Sequence, residues 1–320
     1  MKTDKMWAFW MPISYHMWGD PDKAENDSKR WYIPQMYRAK NDVDFDMWDR
    51  VMDFLAVRKF NTLLIDVGDG VKLDSHPEIA AVDAVSKDFL KKKLDAARAL
   101  GLKPIPKLNF STCHGQWLKE YGYMVGSPKY REVCCDLIKE VAELFGNPEY
   151  FHLGMDEEDT AHFGGRSYVV IRKEDVLWRD FYKFFDTAEQ CGCRPWVWSD
   201  YYWNNEELFI KHMPKDVLQS NWFYGFFQDY PADNRAGRYI STYEALDKLG
   251  YDQVPTSSTW SIEENTVQTM YYSKEHIADE RLKGLMTVSW FRSGTDDEFA
   301  ILNDAHRFYA ARKEVYPETL

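Results

Sequence analysis

The chain has 320 residues, 45% of them hydrophobic, and a formal net charge of −12. That length accommodates a substantial core, and the acidic balance argues against a nucleic-acid partner, which needs a basic face. No apolar run is long enough to span a membrane, and the five cysteines (Cys134 beside Cys135, Cys191 and Cys193 around a glycine) show neither zinc-site nor paired spacing.

Residues 6–14 read as a first strand, followed by a polar, aromatic loop from Tyr15 to about Asp42. Phe45, Trp48, Val51, Met52, Leu55 and Ala56 fall at helical spacing within 44–58. A second strand covers 60–66, and Val67-Gly-Asp-Gly is a turn. A Lys- and Ala-rich helix over 86–100 stops at Gly101. Residues 102–110 form a third strand, although Pro104 and Pro106 weaken a strand. A helix over 129–145 stops at Gly146, strand four is 150–155 and its helix is 173–191. Strand five is 195–200, with a short helix at 205–212, and strand six is 216–222 with a helix at 241–249. Strand seven is 252–259, with a helix at 265–282, and strand eight is 284–291 with a last helix at 297–313.

Strand–helix alternation implies parallel strands with right-handed crossovers. Eight such units without a linker predict one eight-stranded parallel β/α (TIM) barrel over 1–320. No G-x-G-x-x-G turn or P-loop supports an open doubly wound sheet or a nucleotide cofactor. No cofactor and no resident metal are expected. The oligomeric state is not legible. Unpaired thiols lean toward a cytoplasmic compartment, and a leader removed from an exported or periplasmic protein would leave the same chain.

Barrel active sites lie at the C-terminal strand ends. Those ends carry Asp66 and Asp69 after strand two, Asn109, Ser111 and His114 after strand three, and Asp156 and Glu157 after strand four. Trp198, Asp200 and Tyr201 follow strand five, Trp222 and Tyr224 strand six, Trp260 strand seven, and Trp290 with Arg292 strand eight. Carboxylates and a histidine on one side, with tryptophans on the other, suit a carbohydrate: aromatic walls for the ring, polar groups for its hydroxyls. Asp156, Glu157 and Glu158 come straight after a buried strand. Alternation should point neighbouring carboxylates different ways, one as an acid and one as an ionised positioner.

Phe151-His-Leu-Gly-Met-Asp156-Glu157 resembles the His-x-Gly-Gly-Asp-Glu signature of family 20 glycoside hydrolases, the β-N-acetylhexosaminidases, with Met155 at the second glycine. Residues 58–78 are similar to that family's second strand and loop, and Ile105-Pro106 through Cys113-His114-Gly115 to its Ile-Pro-Glu…Pro-Gly-His segment. The resemblance implies a carbohydrate substrate and substrate-assisted catalysis, an exception to the two-carboxylate scheme. Glu157 would be the general acid, and Asp156 would orient the 2-acetamido group that attacks the anomeric carbon. Trp198, Trp222 and Trp290 would wall the acetamido pocket, Tyr224 would donate to its carbonyl, and Asp69 with His114 would form a pair tuning Glu157. Strand seven ends in Thr256-Ser-Ser-Thr-Trp260, with Glu263 and Glu264 only later, as expected where the substrate supplies the nucleophile.

Two departures bear on specificity. The family's sugar-gripping arginine after strand one has no counterpart in residues 11–18, and its Trp-x-Glu after strand eight is Trp290-Phe-Arg292 here. Arg292 would meet an acidic or sulfated sugar, or simply solvent. Two other classes remain open: a non-hydrolytic carbohydrate-binding barrel, and a metal-dependent barrel hydrolase using His114, His152, Asp156 and Glu157.

Overall fold

A computed structural model describes residues 5–16, 40–158, 170–231 and 233–320. The eight barrel strands are β1 (Met6–Pro12), β2 (Thr62–Asp66), β3 (Lys103–Lys107), β4 (Tyr150–His152), β5 (Arg194–Trp198), β6 (Leu218–Ser220), β7 (Thr256–Ser257) and β8 (Gly284–Thr287). All pair in parallel, in the order β6-β5-β4-β3-β2-β1-β8-β7. Parallel bridges Gln219–Gln253 and Trp222–Thr256 join β6 to β7 and close the ring. The chain therefore folds as a TIM barrel, and each strand is buried on both faces, as parallel strands require.

The helices outside it are α1 (Phe45–Val57), α2 (Lys87–Ala99), α3 (Pro128–Leu144), α4 (Asp175–Gln190), α5 (Tyr201–Asn204), α6 (Glu206–His212), α7 (Arg235–Lys248), α8 (Asn265–His276) and α9 (Glu298–Val315). Their starts follow local chemistry. Asp44 accepts from the N–H of Asp46 and Met47, Ser86 from Phe89, and Ser127 from Tyr130, with Pro128 in the first turn. Asn234 accepts from the Ala236 N–H and starts α7 six residues before the sequence expectation. The β2–α2 connection holds an unexpected two-residue parallel ribbon, Val71–Lys72 against Val85–Ser86.

The prolines of β3 leave a trace. Lys103 N–H donates toward β2, to Asn61 O, and Leu108 N–H donates toward β4, to His152 O. Even-numbered positions therefore face β4, and Pro104 and Pro106 have no N–H to offer there. Paired register between β3 and β4 shrinks to Lys107–His152. Inside the barrel Lys107 meets Asp66 in a fully buried ion pair. The loop from Met17 to Ala39 lies outside the described residues. No helix among the described residues is long and apolar enough to cross a membrane.

Candidate active site

The site is built on the turn that ends β4. The strand stops at His152, and Gly154, Met155 and Glu157 take φ values of +74°, +77° and +56°. Two non-glycine residues in the left-handed region within three positions mark stored strain at a site. This turn overrides strand alternation. Asp156 Oδ2 and Glu157 Oε2 both reach His114 Nε2, at 3.0 and 3.1 Å, instead of pointing apart.

Asp156 is held from several sides. Its Oδ1 accepts from Asn109 Nδ2 at 2.9 Å and Ser111 Oγ at 2.8 Å. Burial would raise this carboxyl, but the His114 charge and hydrogen bond, then Lys107 and Asn109, outweigh it and hold it below the usual range. Burial likewise opposes a charged imidazole, yet the Asp156 charge and hydrogen bond lift His114 well above its ordinary value. The result is a buried imidazolium–carboxylate pair. A carboxylate accepts about four hydrogen bonds, so the donors from Asn109, Ser111 and His114 leave room for one more.

Glu157 is more open, with its side chain 21% exposed. Its N–H donates to Asp200 Oδ2 at 2.7 Å, and Asp200 Oδ1 accepts from Trp222 Nε1 at 3.4 Å. Burial, then the Asp156 charge, pushes the Asp200 carboxyl well above its usual range. Asp200 thus ties the Asp156–Glu157 turn to the aromatic wall. Trp222 stacks on Tyr224 (5.1 Å between centroids), Tyr224 meets Trp290 (6.5 Å), and Trp290 meets Trp198 (6.3 Å). Trp290 itself sits at φ +56°. Burial keeps the Tyr224 hydroxyl protonated, as a donor must be.

Other candidates are placed differently. Asp69 does not pair with His114. It accepts from Ser14 Oγ at 2.7 Å and lies 2.6 Å from His16 Nδ1, because both project from the end of β1 over the β2 loop. Trp260 packs on Phe291 (6.5 Å). Arg292 is neither solvated nor open: it turns to Asp297 at 3.6 Å with its side chain 13% exposed. Glu263 is 67% exposed and paired with Arg307 at 2.6 Å. The ligand set His114, His152, Asp156 and Glu157 is not assembled. His152 Nδ1 accepts the Gly154 N–H, and its ring packs on Trp196 and Trp198.

Three features escaped sequence reasoning. Glu158 is not part of the open site but is buried, accepting from the Thr112 N–H and pairing with Arg172, which also reaches Asp180. His16 had no signal beyond its place after β1. The ligand-type atoms that do converge, among the described residues, belong to Cys113, His114 and Glu157. All five cysteines are free thiols.

The fold sets this carboxylate–histidine turn at the C-terminal mouth of a TIM barrel. No family model matches the sequence, and no curated protein matches it. Solved structures do. The chain is similar to the Flavobacterium johnsoniae chitobiase (17% identity, TM-score 0.62), over 87% of this chain and 49% of that one. It is similar to a family 20 module of a pneumococcal exo-β-D-N-acetylglucosaminidase (14%, TM-score 0.63; 98% and 86%). It is also similar to a mutant Streptomyces plicatus β-hexosaminidase solved with its product GlcNAc (13%, TM-score 0.61; 98% and 68%). In fold the barrel is thus similar to those of these family 20 β-N-acetylhexosaminidases, and the chain spans about half the length of the chitobiase.

Proposed function

We propose that this barrel is a retaining glycoside hydrolase for β-linked 2-acetamido sugars, with the substrate's own acetamido oxygen as nucleophile. The observation that carries the reading is the His114 imidazole shared by Asp156 and Glu157, with Asp200 linking the Glu157 N–H to Trp222 of the aromatic wall and no carboxylate on 256–262 after β7. The likeness to chitobiase and hexosaminidase barrels supports the same substrate class.

In the first step the acetamido oxygen bonds to the anomeric carbon as the glycosidic bond breaks, and Glu157 gives its proton to the departing oxygen. Asp156 accepts the acetamido N–H with its remaining lone pair, offsetting the positive charge that grows on the ring formed. Water then attacks the same carbon, Glu157 takes a proton from it, the acetamido group is released, and the configuration is retained. The imidazolium keeps Asp156 ionised throughout.

The test is a series of aryl β-glycosides whose 2-acetyl group carries successively more fluorine. Fluorine withdraws electrons from the acyl oxygen, so kcat should fall steeply with each one. A flat series would overturn acetamido attack.

A further inference from the structure

The mechanism uses His114 and Glu157 but not Cys113. This residue lies beside His114 on the short 3-10 turn Thr112–His114 after β3, and its thiol is buried. The thiol donates to the main-chain oxygen of Asp156 at 3.6 Å, so it sits directly under the catalytic turn. One ligand atom each from Cys113, His114 and Glu157 falls within 4.8 Å of the other two. Thiolate, imidazole and carboxylate are the donor set of tetrahedral zinc, and three protein ligands leave a fourth position open. Hard cations such as magnesium prefer an all-oxygen shell, so the sulfur selects a thiophilic ion.

We propose that Cys113, His114 and Glu157 bind a thiophilic divalent cation such as Zn2+, and that this ion inhibits the enzyme reversibly. Binding forms metal–sulfur, metal–nitrogen and metal–oxygen bonds. The thiol and the imidazolium each release a proton to solvent. The ion then holds the carboxylate that must carry the proton to the leaving group. The exposed edge of Glu157 gives it an entry path. The inhibitory consequence rests on Glu157 as the general acid; the binding site does not.

The test titrates Co2+, a spectroscopic substitute for Zn2+, into the full chain. One equivalent should give a sulfur-to-cobalt charge-transfer band in the near ultraviolet and visible bands of four-coordinate intensity. Cys113→Ser should lose the sulfur band, whereas Cys191→Ser should keep it. Losing even an outer partner of a metal site costs 10–100-fold in affinity, so Glu157→Gln should bind at least about tenfold more weakly and keep the sulfur band at saturation. Zn2+ should abolish turnover of an acetamido glycoside and a chelator should restore it. The half-inhibiting concentration, set against each protein's own metal-free rate, should rise at least about tenfold in Cys113→Ser. No sulfur band, a band that survives in Cys113→Ser, or equal inhibition of both proteins would overturn the site. If no acetamido glycoside is turned over, the proposed activity fails, and the cobalt spectra still decide the metal site.

Discussion

His114 is the residue on which both carboxylates converge, and its protonation links stability to pH. Its folded pKa is raised, so its contribution is complete below the unfolded value of about 6.5 and is lost as pH rises through the folded one. Asp156 is depressed, so its contribution is complete above the unfolded value of about 4 and is lost as pH falls through the folded one. Both contributions are complete only between those limits. Urea titrations of the wild type and His114→Asn should therefore differ most near pH 5, with the gap closing as pH rises above about 6.5. A gap that widened with pH would show that His114 is neutral in the folded protein. Glu157 makes its own prediction. A general acid contributes roughly 10²–10⁴-fold, so Glu157→Gln should lose about that factor on alkyl glycosides and far less on nitrophenyl glycosides, in kcat/KM. Equal loss on both would remove Glu157 from the acid's role. Asp156 and Glu157 were legible because they follow an apolar run. The Asp69–His16 pair was not, since nothing in a linear pattern shows which of two strand-end histidines a carboxylate meets.

At the scale of elements, the site depends on a strand that ends early. Gly154 lies at φ +74°, and a β-carbon there would stand 2.0 Å from Asn109 Oδ1 and 2.8 Å from Asn109 Cα. Gly154→Ala would push away the amide that holds Asp156. The left-handed conformation alone should cost about 1–2 kcal/mol of stability. Losing a hydrogen bond to a charged group, about 1.5–3 kcal/mol, should lower kcat/KM by tenfold or more. Denaturant unfolding and steady-state kinetics check the two parts, and an unchanged kcat/KM would separate the turn from the chemistry. Element types were legible from periodicity because the strands are buried runs and the helices carry one apolar stripe. Boundaries were less so. Strand four reads as 150–155 from its apolar residues but ends at His152, since Gly154 and Met155 leave the extended region. Pro104 and Pro106 spoke against strand three, and the ring accommodates them on the side where pairing is thinnest.

For the whole molecule, eight repeats of strand and helix were enough to predict a closed parallel barrel, because right-handed crossovers leave few other ways to bury both faces of the sheet. The aromatic wall followed in part. Trp198, Trp222, Tyr224 and Trp290 come together because equivalent strand ends share one rim. Trp260 shares that rim position in sequence but packs on Phe291, a packing choice that no spacing rule reveals. The proposed substrate assistance ties these scales together, since it needs Asp156 as orienter, the β4 turn and the walled barrel mouth at once. The most direct measurement is aglycone release from two chromogenic β-glycosides that differ only at C2, one acetamido and one hydroxyl. Turnover of the acetamido sugar with silence on the hydroxyl sugar is the predicted result. Comparable cleavage of both would mean that an enzyme carboxylate supplies the nucleophile, and would contradict the account.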